Sequence, residues 1–264
     1  MKNKSVVLAM IMLITLSAFL GCSQKNDTNT RQVPILMYHD FIADGEPNAF
    51  EITAAAFEEH LRALSEAGYV SVNFTDLINY VNGECELPEK CVVISTDDGY
   101  TGVIDIALPL CEKYGVKLTC AVVGDKVNAN NHFVPDESMV GRIELTSHTY
   151  GLHVSRENGY NGVNMPLVGD ELKAALTDDT DKLLLEFGDI FPEMGKILVY
   201  PFGAHTDEID KIYEDLGYDV TVTVEQGCAK IKRGDADSLR KLPRYQVYPH
   251  LTGEDIVDIV NKKR

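Results

Sequence analysis

The stretch "VVISTDDGY", residues 92–100, puts two adjacent acids at the end of a run that is otherwise largely apolar. Residues 92–94 are β-branched, and together with the bounding Gly99 they predict a short inner strand of a sheet. Burying one carboxylate is costly, and two adjacent carboxylates repel each other unless something compensates their charge. The surroundings of Asp97 and Asp98 therefore decide how this segment is interpreted.

From residue 33 onward the chain alternates between β-branched runs and amphipathic helical patterns, and Thr53 is a candidate N-cap of the first helix. Strands are predicted within residues 33–39, 69–74, 91–96, 117–123, 142–148, 196–202, 218–224 and 241–248. Helices are predicted within residues 54–68, 75–81, 102–115, 170–187, 206–217 and from residue 254 onward. Strands separated by helices are typical of a parallel sheet. We therefore predict one α/β domain over residues 33–264, a roughly sevenfold β/α barrel, with a doubly wound open sheet as the alternative.

Functional residues of parallel α/β folds gather at the carboxyl ends of the strands. Five predicted strands end in chemically distinctive residues, which are His39, Asp97–Asp98, His148, Tyr200–Pro201–Phe202 and Arg244. Each of these taken alone has an ordinary explanation as a turn or a core residue. Their recurrence at successive strand ends favours a functional site.

The segment "SHTYGLH", residues 147–153, carries two histidines five positions apart. On a helix they would lie about 140° apart, and on a straight strand they would lie on opposite faces. They can converge only if the chain turns after His148, which Gly151 makes plausible. Two imidazoles and one carboxylate are a standard ligand set for a catalytic zinc, so His148, His153 and one aspartate are candidate ligands. The metal would compensate the acid pair, and the second aspartate would accept a proton from the bound water.

The whole-chain composition excludes some partners. The formal net charge is −17 and the pI is about 4.7, which argues against binding to nucleic acid or to an anionic membrane surface. A content of 45% hydrophobic and 25% charged residues is typical of a soluble globular protein.

The N-terminus has the composition of an export signal. A short basic segment is followed by an apolar run, and Gly21 precedes Cys22, as in bacterial lipoprotein signals. We predict a signal peptide over residues 1–21, a lipidated Cys22 and a polar tether over residues 22–32, with an uncleaved anchor helix as the alternative. The protein would then be exported and lipid-anchored at the outer face of the bacterial cell membrane, or extracellular.

Five cysteines follow Cys22, and an odd count does not describe a disulfide framework. Cys85 and Cys91 flank "ELPEK" and are the one pair that the spacing leaves open. The absence of any C-x-x-C motif argues against a thiolate zinc site.

Three motifs, "STDDGY", "SHTYGLH" and "YPFG", resemble in order the signature motifs of the polysaccharide deacetylases, the family 4 carbohydrate esterases with a NodB-type domain. The resemblance covers about residues 33–250. The segments "VPILMYH" and "LPRYQV" are similar to the branch of poly-N-acetylglucosamine deacetylases, in which one motif is moved to the front of the domain. The resemblance implies a distorted (β/α)7 barrel that hydrolyses N-acetyl groups on sugar polymers.

The resemblance also implies roles for individual residues. Asp97 would be the general base and His39 the general acid. The metal ligands would be Asp98, His148 and His153, holding one divalent ion, with zinc favoured and cobalt or nickel as alternatives.

The third motif would supply Phe202, whose backbone N–H would donate to the oxyanion, with Pro201 and Tyr100 beside the substrate. Val199 stands where many members of the family have an arginine that holds the catalytic aspartate. Arg244, near the end of a late strand, is the candidate substitute, and a surface arginine is the alternative.

The expected function is metal-dependent removal of N-acetyl groups from an extracellular or cell-wall polysaccharide that contains N-acetylglucosamine. The expected partner is a polysaccharide or oligosaccharide, with the membrane contacted only through the lipid anchor and the chain a monomer. Two alternatives are an O-acetyl esterase of the xylan type and a non-catalytic, lipid-anchored glycan-binding protein. His250 is the alternative general acid, and the tyrosines that could stack on sugar rings are Tyr100, Tyr150 and Tyr200.

Overall fold

The computed structural model describes residues 29–129, 131–155 and 159–262. The predicted signal peptide, Cys22 and the first part of the predicted tether lie outside the described residues. Within the described part of the chain, no helix combines the length and the apolar composition that crossing a bilayer requires.

The eight predicted strands and six predicted helices occur in the expected order, and the structure adds four short strands, at Thr30–Val33, Asp40–Ile42, Glu51–Thr53 and Ala229–Lys232. The strands are β1 (Thr30–Val33), β2 (Ile35–Tyr38), β3 (Asp40–Ile42), β4 (Glu51–Thr53), β5 (Val70–Val72), β6 (Cys91–Thr96), β7 (Thr119–Val122), β8 (Glu144–Ser147), β9 (Ile197–Val199), β10 (Val220–Gln226), β11 (Ala229–Lys232) and β12 (Leu242–Gln246). The α-helices are α1 (Ala54–Glu66), α2 (Phe74–Asn82), α3 (Leu108–Tyr114), α4 (Gly169–Phe187), α5 (Asp207–Asp215) and α6 (Gly253–Asn261). A π-helical turn over Val103–Ala107 leads directly into α3.

Seven parallel strands close into a barrel in the order β2, β12, β10, β9, β8, β7 and β6. The closing contact pairs β2 with β6, from Ile35 opposite Val93 to Tyr38 opposite Thr96. Pairing is uneven around the ring, because β8 and β9 share the single register position Ser147–Leu198. The fold is therefore the distorted (β/α)7 barrel, and ring closure excludes the open doubly wound sheet.

The helices cover the barrel through the apolar stripes read from the sequence. Helix α1 buries Phe57, Leu61 and Leu64, and the Thr53 side chain caps it by accepting a hydrogen bond from the Ala56 N–H. The buried His60 of the same helix bonds to Tyr38 and to a backbone carbonyl. This histidine is therefore part of the core packing.

The end of the predicted tether belongs to the fold, which corrects the expectation for residues 30–32. Strand β1 pairs antiparallel with β11, from Thr30 opposite Lys232 to Val33 opposite Ala229. This pairing depends mainly on backbone hydrogen bonds at the sheet edge, so its polar side chains do not show an apolar pattern.

No disulfide joins the five cysteines among the described residues, so Cys85 and Cys91 do not pair. Cys85 is half-buried, and its thiol donates to the Asp76 carbonyl oxygen at 3.5 Å. Cys91 is buried at the start of β6, where its thiol packs in the core.

Candidate active site and metal centre

The first functional pair joins Asp97, directly after β6, to Arg244 on β12. The guanidinium donates to both carboxylate oxygens, with Nη1–Oδ1 at 2.8 Å and Nη2–Oδ2 at 2.7 Å. Its Nε also donates to the Thr223 carbonyl oxygen at 2.9 Å, which fixes the plane of the fork. Burial alone would raise the pKa of Asp97, but the charge and hydrogen bonds of Arg244 outweigh it and lower that pKa. Asp97 is therefore held as an oriented carboxylate.

The second functional group is a cluster of three side chains, Asp98, His148 and His153. The Asp98 Oδ1 atom lies 3.0 Å from the His153 Nε2 and 3.6 Å from the His148 Nε2. One ligand atom from each residue falls within 4.8 Å of the others. Asp98 Oδ1 is buried and accepts no hydrogen bond of proper geometry from the described residues. Burial would raise the pKa of Asp98, but the two imidazoles beside it lower it.

Two successive left-handed residues separate the directions of the neighbouring acids. Asp98 has φ of 75° and Gly99 has φ of 82°, a conformation that aspartate tolerates better than most residues. The Asp97 N–H remains in the barrel by donating to the Tyr38 carbonyl oxygen at 3.1 Å. The chain thus turns immediately after Asp97, so one carboxylate contacts Arg244 and the next contacts the imidazoles.

His148 is oriented by the backbone of the neighbouring strand. Its Nδ1 lies 2.7 Å from the Val199 carbonyl oxygen, so this nitrogen carries the proton and donates it. Burial lowers the pKa of His148 to about 4, which keeps the ring neutral near pH 7. The Nε2 lone pair then faces Asp98, as a metal ligand requires. Val199 makes this contact through its main-chain carbonyl, so the contact does not depend on the side chain at this position.

His153 has a different second partner. The Lys126 Nζ lies 2.9 Å from its Nδ1, so the ammonium donates to that nitrogen. A metal bound at Nε2 would favour a proton on Nδ1. Binding at His153 therefore requires Lys126 to give up this contact.

The turn between the two histidines is held by a residue that the sequence did not indicate. Thr149 has a left-handed φ of 69°. Asp179, buried on α4, accepts hydrogen bonds from the Tyr150 and Gly151 N–H groups, both at 2.8 Å. Asp179 stands among other acidic residues of a helix that looks solvent-exposed in sequence, so no local signal distinguishes it. The carboxylate fixes the chain reversal on which convergence of the histidines depends.

The structure places His39, and not His250, beside the acid pair. His39 follows β2, and its charge contributes to lowering the pKa of both Asp97 and Asp98. Its Nδ1 is buried and has no hydrogen-bond partner among the described residues. His250 is exposed beyond β12. Hydrogen bonds from Thr252, with a smaller contribution from the charge of His250, lower the pKa of the nearby Asp255.

The third motif forms a tight turn after β9. Phe202 has φ of 59°, and its ring lies 4.5 Å from that of His153, measured between centroids. Pro201 is buried, and a Cβ on Gly162 would lie 2.7 Å from the Pro201 carbonyl oxygen, so only glycine fits against this turn. The turn thus places the Phe202 ring beside His153, with Pro201 buried next to it.

The predicted sugar-stacking role of Tyr200 is wrong. Its ring is fully buried and its hydroxyl donates to Asp210 at 2.8 Å, so it packs in the core beneath the turn and is not accessible to a sugar. Tyr100 is half-buried beside Asp98 of the three-residue cluster. Burial, together with the charge of Asp98 and a hydrogen bond to it, raises the pKa of Tyr100 to about 12.

A family model for polysaccharide deacetylase matches residues 85–221, just over half of the chain. The chain belongs to the polysaccharide deacetylase family. The matched segment contains both aspartates, both histidines and the "YPFG" turn, whereas His39 and Arg244 lie outside it. Membership makes the chain a deacetylase enzyme, which excludes the non-catalytic glycan-binding alternative.

Individual relatives agree with this membership. YxkH of Bacillus subtilis (strain 168), assigned by its name to the polysaccharide deacetylases, is 30% identical over 225 residues, which cover 84% of this deacetylase and 74% of YxkH. The poly-beta-1,6-N-acetyl-D-glucosamine N-deacetylase of Escherichia coli (strain K12) is 23% identical over 226 residues, which cover 73% of this chain and 33% of that protein. The match therefore spans about a third of the Escherichia coli enzyme.

The solved structure of a de-N-acetylase from Aggregatibacter actinomycetemcomitans has the same fold as this deacetylase. It superposes with a TM-score of 0.73 at 21% identity and covers 86% of this chain and 99% of that chain. At this identity the likeness establishes the fold alone.

Proposed function

We propose that this deacetylase removes N-acetyl groups from an extracellular or cell-wall polysaccharide that contains N-acetylglucosamine, using one divalent metal ion. The observation that carries the proposal is the pairing of two functional groups at one end of the barrel: an arginine-held Asp97 and the Asp98–His148–His153 cluster beside it. The name of the Escherichia coli relative supports the choice of glycan.

The residues of the cluster fit a metal. One carboxylate oxygen and two imidazole nitrogens are a ligand set that suits zinc, with cobalt or nickel as alternatives. The buried Oδ1 of Asp98, which accepts no hydrogen bond of proper geometry from the described residues, and the oriented Nε2 of His148 leave ligand atoms available for a cation. When bound, the metal would lower the pKa of a water and polarise the acetyl carbonyl.

Asp97 and His39 would move the protons of the reaction. Asp97, kept ionised by Arg244, would accept a proton from the water that attacks the acetyl carbon. His39 would donate a proton to the amide nitrogen as its bond to that carbon breaks, releasing acetate and a sugar amine. The Phe202 N–H would donate to the oxyanion, a contribution typically worth about 3 kcal/mol.

The proposal includes the location of the enzyme. Its support is the N-terminal sequence, in which an apolar run precedes Gly21 and Cys22. The protein would be exported, lipidated at Cys22 and anchored at the outer face of the bacterial cell membrane, where a glycan substrate is accessible. The catalytic domain would act as a monomer.

The decisive experiment measures acetate released from oligomers of N-acetylglucosamine and, in parallel, from O-acetylated xylan oligomers. We expect release from the N-acetylated substrate, its loss in the presence of a chelator, and its recovery when zinc is added back. Release from the xylan oligomers alone would replace the proposal with the O-acetyl esterase. Chelator-insensitive release would overturn the metal requirement.

A further inference from the structure

Three aromatic side chains are exposed among the described residues, namely Phe50, Phe202 and Tyr248. Their exposed fractions are 57%, 41% and 45%. Phe202 and Tyr248 come shortly after the carboxyl ends of β9 and β12, and Phe50 immediately precedes β4, which pairs with β3 just beyond β2. Exposed large apolar side chains that concentrate at one place mark a binding surface rather than random surface composition.

Two of these rings contact the histidines of the catalytic site. The Phe50 ring lies 5.1 Å from that of His39, and the Phe202 ring lies 4.5 Å from that of His153, both measured between centroids. The exposed apolar surface is therefore continuous with the site already described.

Val224 and Tyr248 lie on or just after the two strands that come between β9 and β2 in the order around the barrel. Strands β9, β10, β12 and β2 are consecutive neighbours. Val224 lies on β10, and Phe202, Tyr248 and Phe50 come after β9, β12 and β2 in the chain. Val224 is exposed on β10, and a Cβ on Gly203 would lie 2.5 Å from its Cγ2, so β10 touches the turn that carries Phe202.

Tyr248 sits where β12 meets the end of β2. The preceding Val247 donates its N–H to the Met37 carbonyl oxygen at 3.0 Å, two residues before His39. The Tyr248 ring stacks on the His250 ring with centroids 5.8 Å apart and planes 17° apart. A cavity of about 310 Å³ lies beside it, lined in part by Gln226, Gln246 and Lys262. We call these four residues, the aromatic Phe202, Tyr248 and Phe50 together with Val224, the aromatic arc.

We propose that the aromatic arc binds the glycan chain along the barrel edge, with Tyr248 stacking on a sugar beyond the one that is deacetylated. This inference rests on the proposed function. One face of a pyranose presents C–H groups and is apolar, so it packs on an aromatic ring, while the polar side chains of the cavity can bond its hydroxyls. Two members of the arc, Phe50 and Phe202, contact His39 and His153, so the occupant that fits this surface is the substrate polymer.

The test compares a dimer and a pentamer of N-acetylglucosamine as substrates of the full chain. We expect the ratio of kcat/KM for the pentamer to that for the dimer to fall roughly two- to tenfold in Tyr248→Ala, the size of one aromatic contact. Tyr248→Phe keeps the ring and should restore the ratio. Leu185→Ala, which truncates a side chain 90% exposed on α4, is the matched surface control.

Binding of the pentamer, measured by calorimetry, separates this inference from the proposed function. If acetate is released but Tyr248→Ala has the same length dependence and affinity as Leu185→Ala, the arc is not a glycan site and the proposed function stands. If no N-acetylated oligomer is hydrolysed, the proposed function fails. In that case weaker pentamer binding by Tyr248→Ala than by Tyr248→Phe would still support the arc, and equal binding would overturn it.

Discussion

Arg244 donates two hydrogen bonds to Asp97 across the barrel, although the two residues are 147 positions apart in the chain. Both side chains are buried, so each would be an uncompensated charge without the other. Arg244 thus holds Asp97, the proposed general base, from β12, whereas the position on β9 at which many members of the family have an arginine is Val199.

Replacing Arg244 should shift the pH dependence of the reaction. Because Arg244 lowers the pKa of Asp97, Arg244→Met should raise that pKa, and the acidic limb of the kcat profile should move to higher pH. Arg244→Lys should shift the limb less, since it keeps the charge. The measurement is kcat against pH for each variant.

A matched control is Arg240→Lys, which alters the half-buried ion pair with Asp210 outside the site. It should lower the melting temperature without moving the acidic limb. If Arg240→Lys shifts the acidic limb as far as Arg244→Met does, Arg244 does not act through Asp97.

Removing either histidine of the cluster should remove the metal. Elemental analysis of His148→Ala and His153→Ala should show loss of the roughly one divalent ion per chain expected for the native protein, since two remaining ligands make a weak site. His60→Ala, which removes a buried histidine bonded elsewhere, should retain it. Unchanged metal content in either cluster variant would reject the ligand assignment.

The two aspartates should have different phenotypes. Asp97→Asn removes a proton acceptor and should abolish acetate release while the metal stays bound. Asp98→Asn removes a ligand charge and should weaken metal binding, measured by competition with a chelator. Exchanged phenotypes would show that the base and the ligand are assigned the wrong way round.

His39→Ala should reduce amide hydrolysis by about 10²–10⁴-fold and leave the metal content intact. An activated ester should be affected much less, because its leaving group does not need a proton. His250→Ala should be nearly silent by comparison, since that ring is exposed beyond β12 and does not lie beside the acid pair. A severe effect of His250→Ala with a mild effect of His39→Ala would place the general acid at the C-terminal end of the domain.

Asp179 should matter for metal affinity although it contacts no ligand atom. Asp179→Asn replaces one acceptor by a donor facing an N–H, which should loosen the turn and weaken metal binding about 10–100-fold. Asp178→Asn, one position earlier and exposed in an ion pair with Lys182, is the control. Equal metal affinity in the two variants would show that Asp179 does not contribute to metal binding.

The sequence by itself determined eight strands, the six helices and the residues that stand at the ends of those strands, but not the short strands β1, β3, β4 and β11. The runs at 92–94 and 117–123 and the stripe of Phe57, Leu61 and Leu64 are local patterns, and apolar periodicity reports the face that each element buries. The sequence did not determine whether the sheet closes, since helix-separated strands permit both a closed barrel and an open sheet.

Only the tertiary structure decided which groups meet. The contact of Arg244 with Asp97 and the bonds from the turn at 150–151 to Asp179 join segments far apart in sequence. Strand β1 likewise exists because β11 offers it backbone partners. Hydrogen bonds of this kind have no sequence period, because the partner of each group is set by barrel closure and not by its neighbours along the chain.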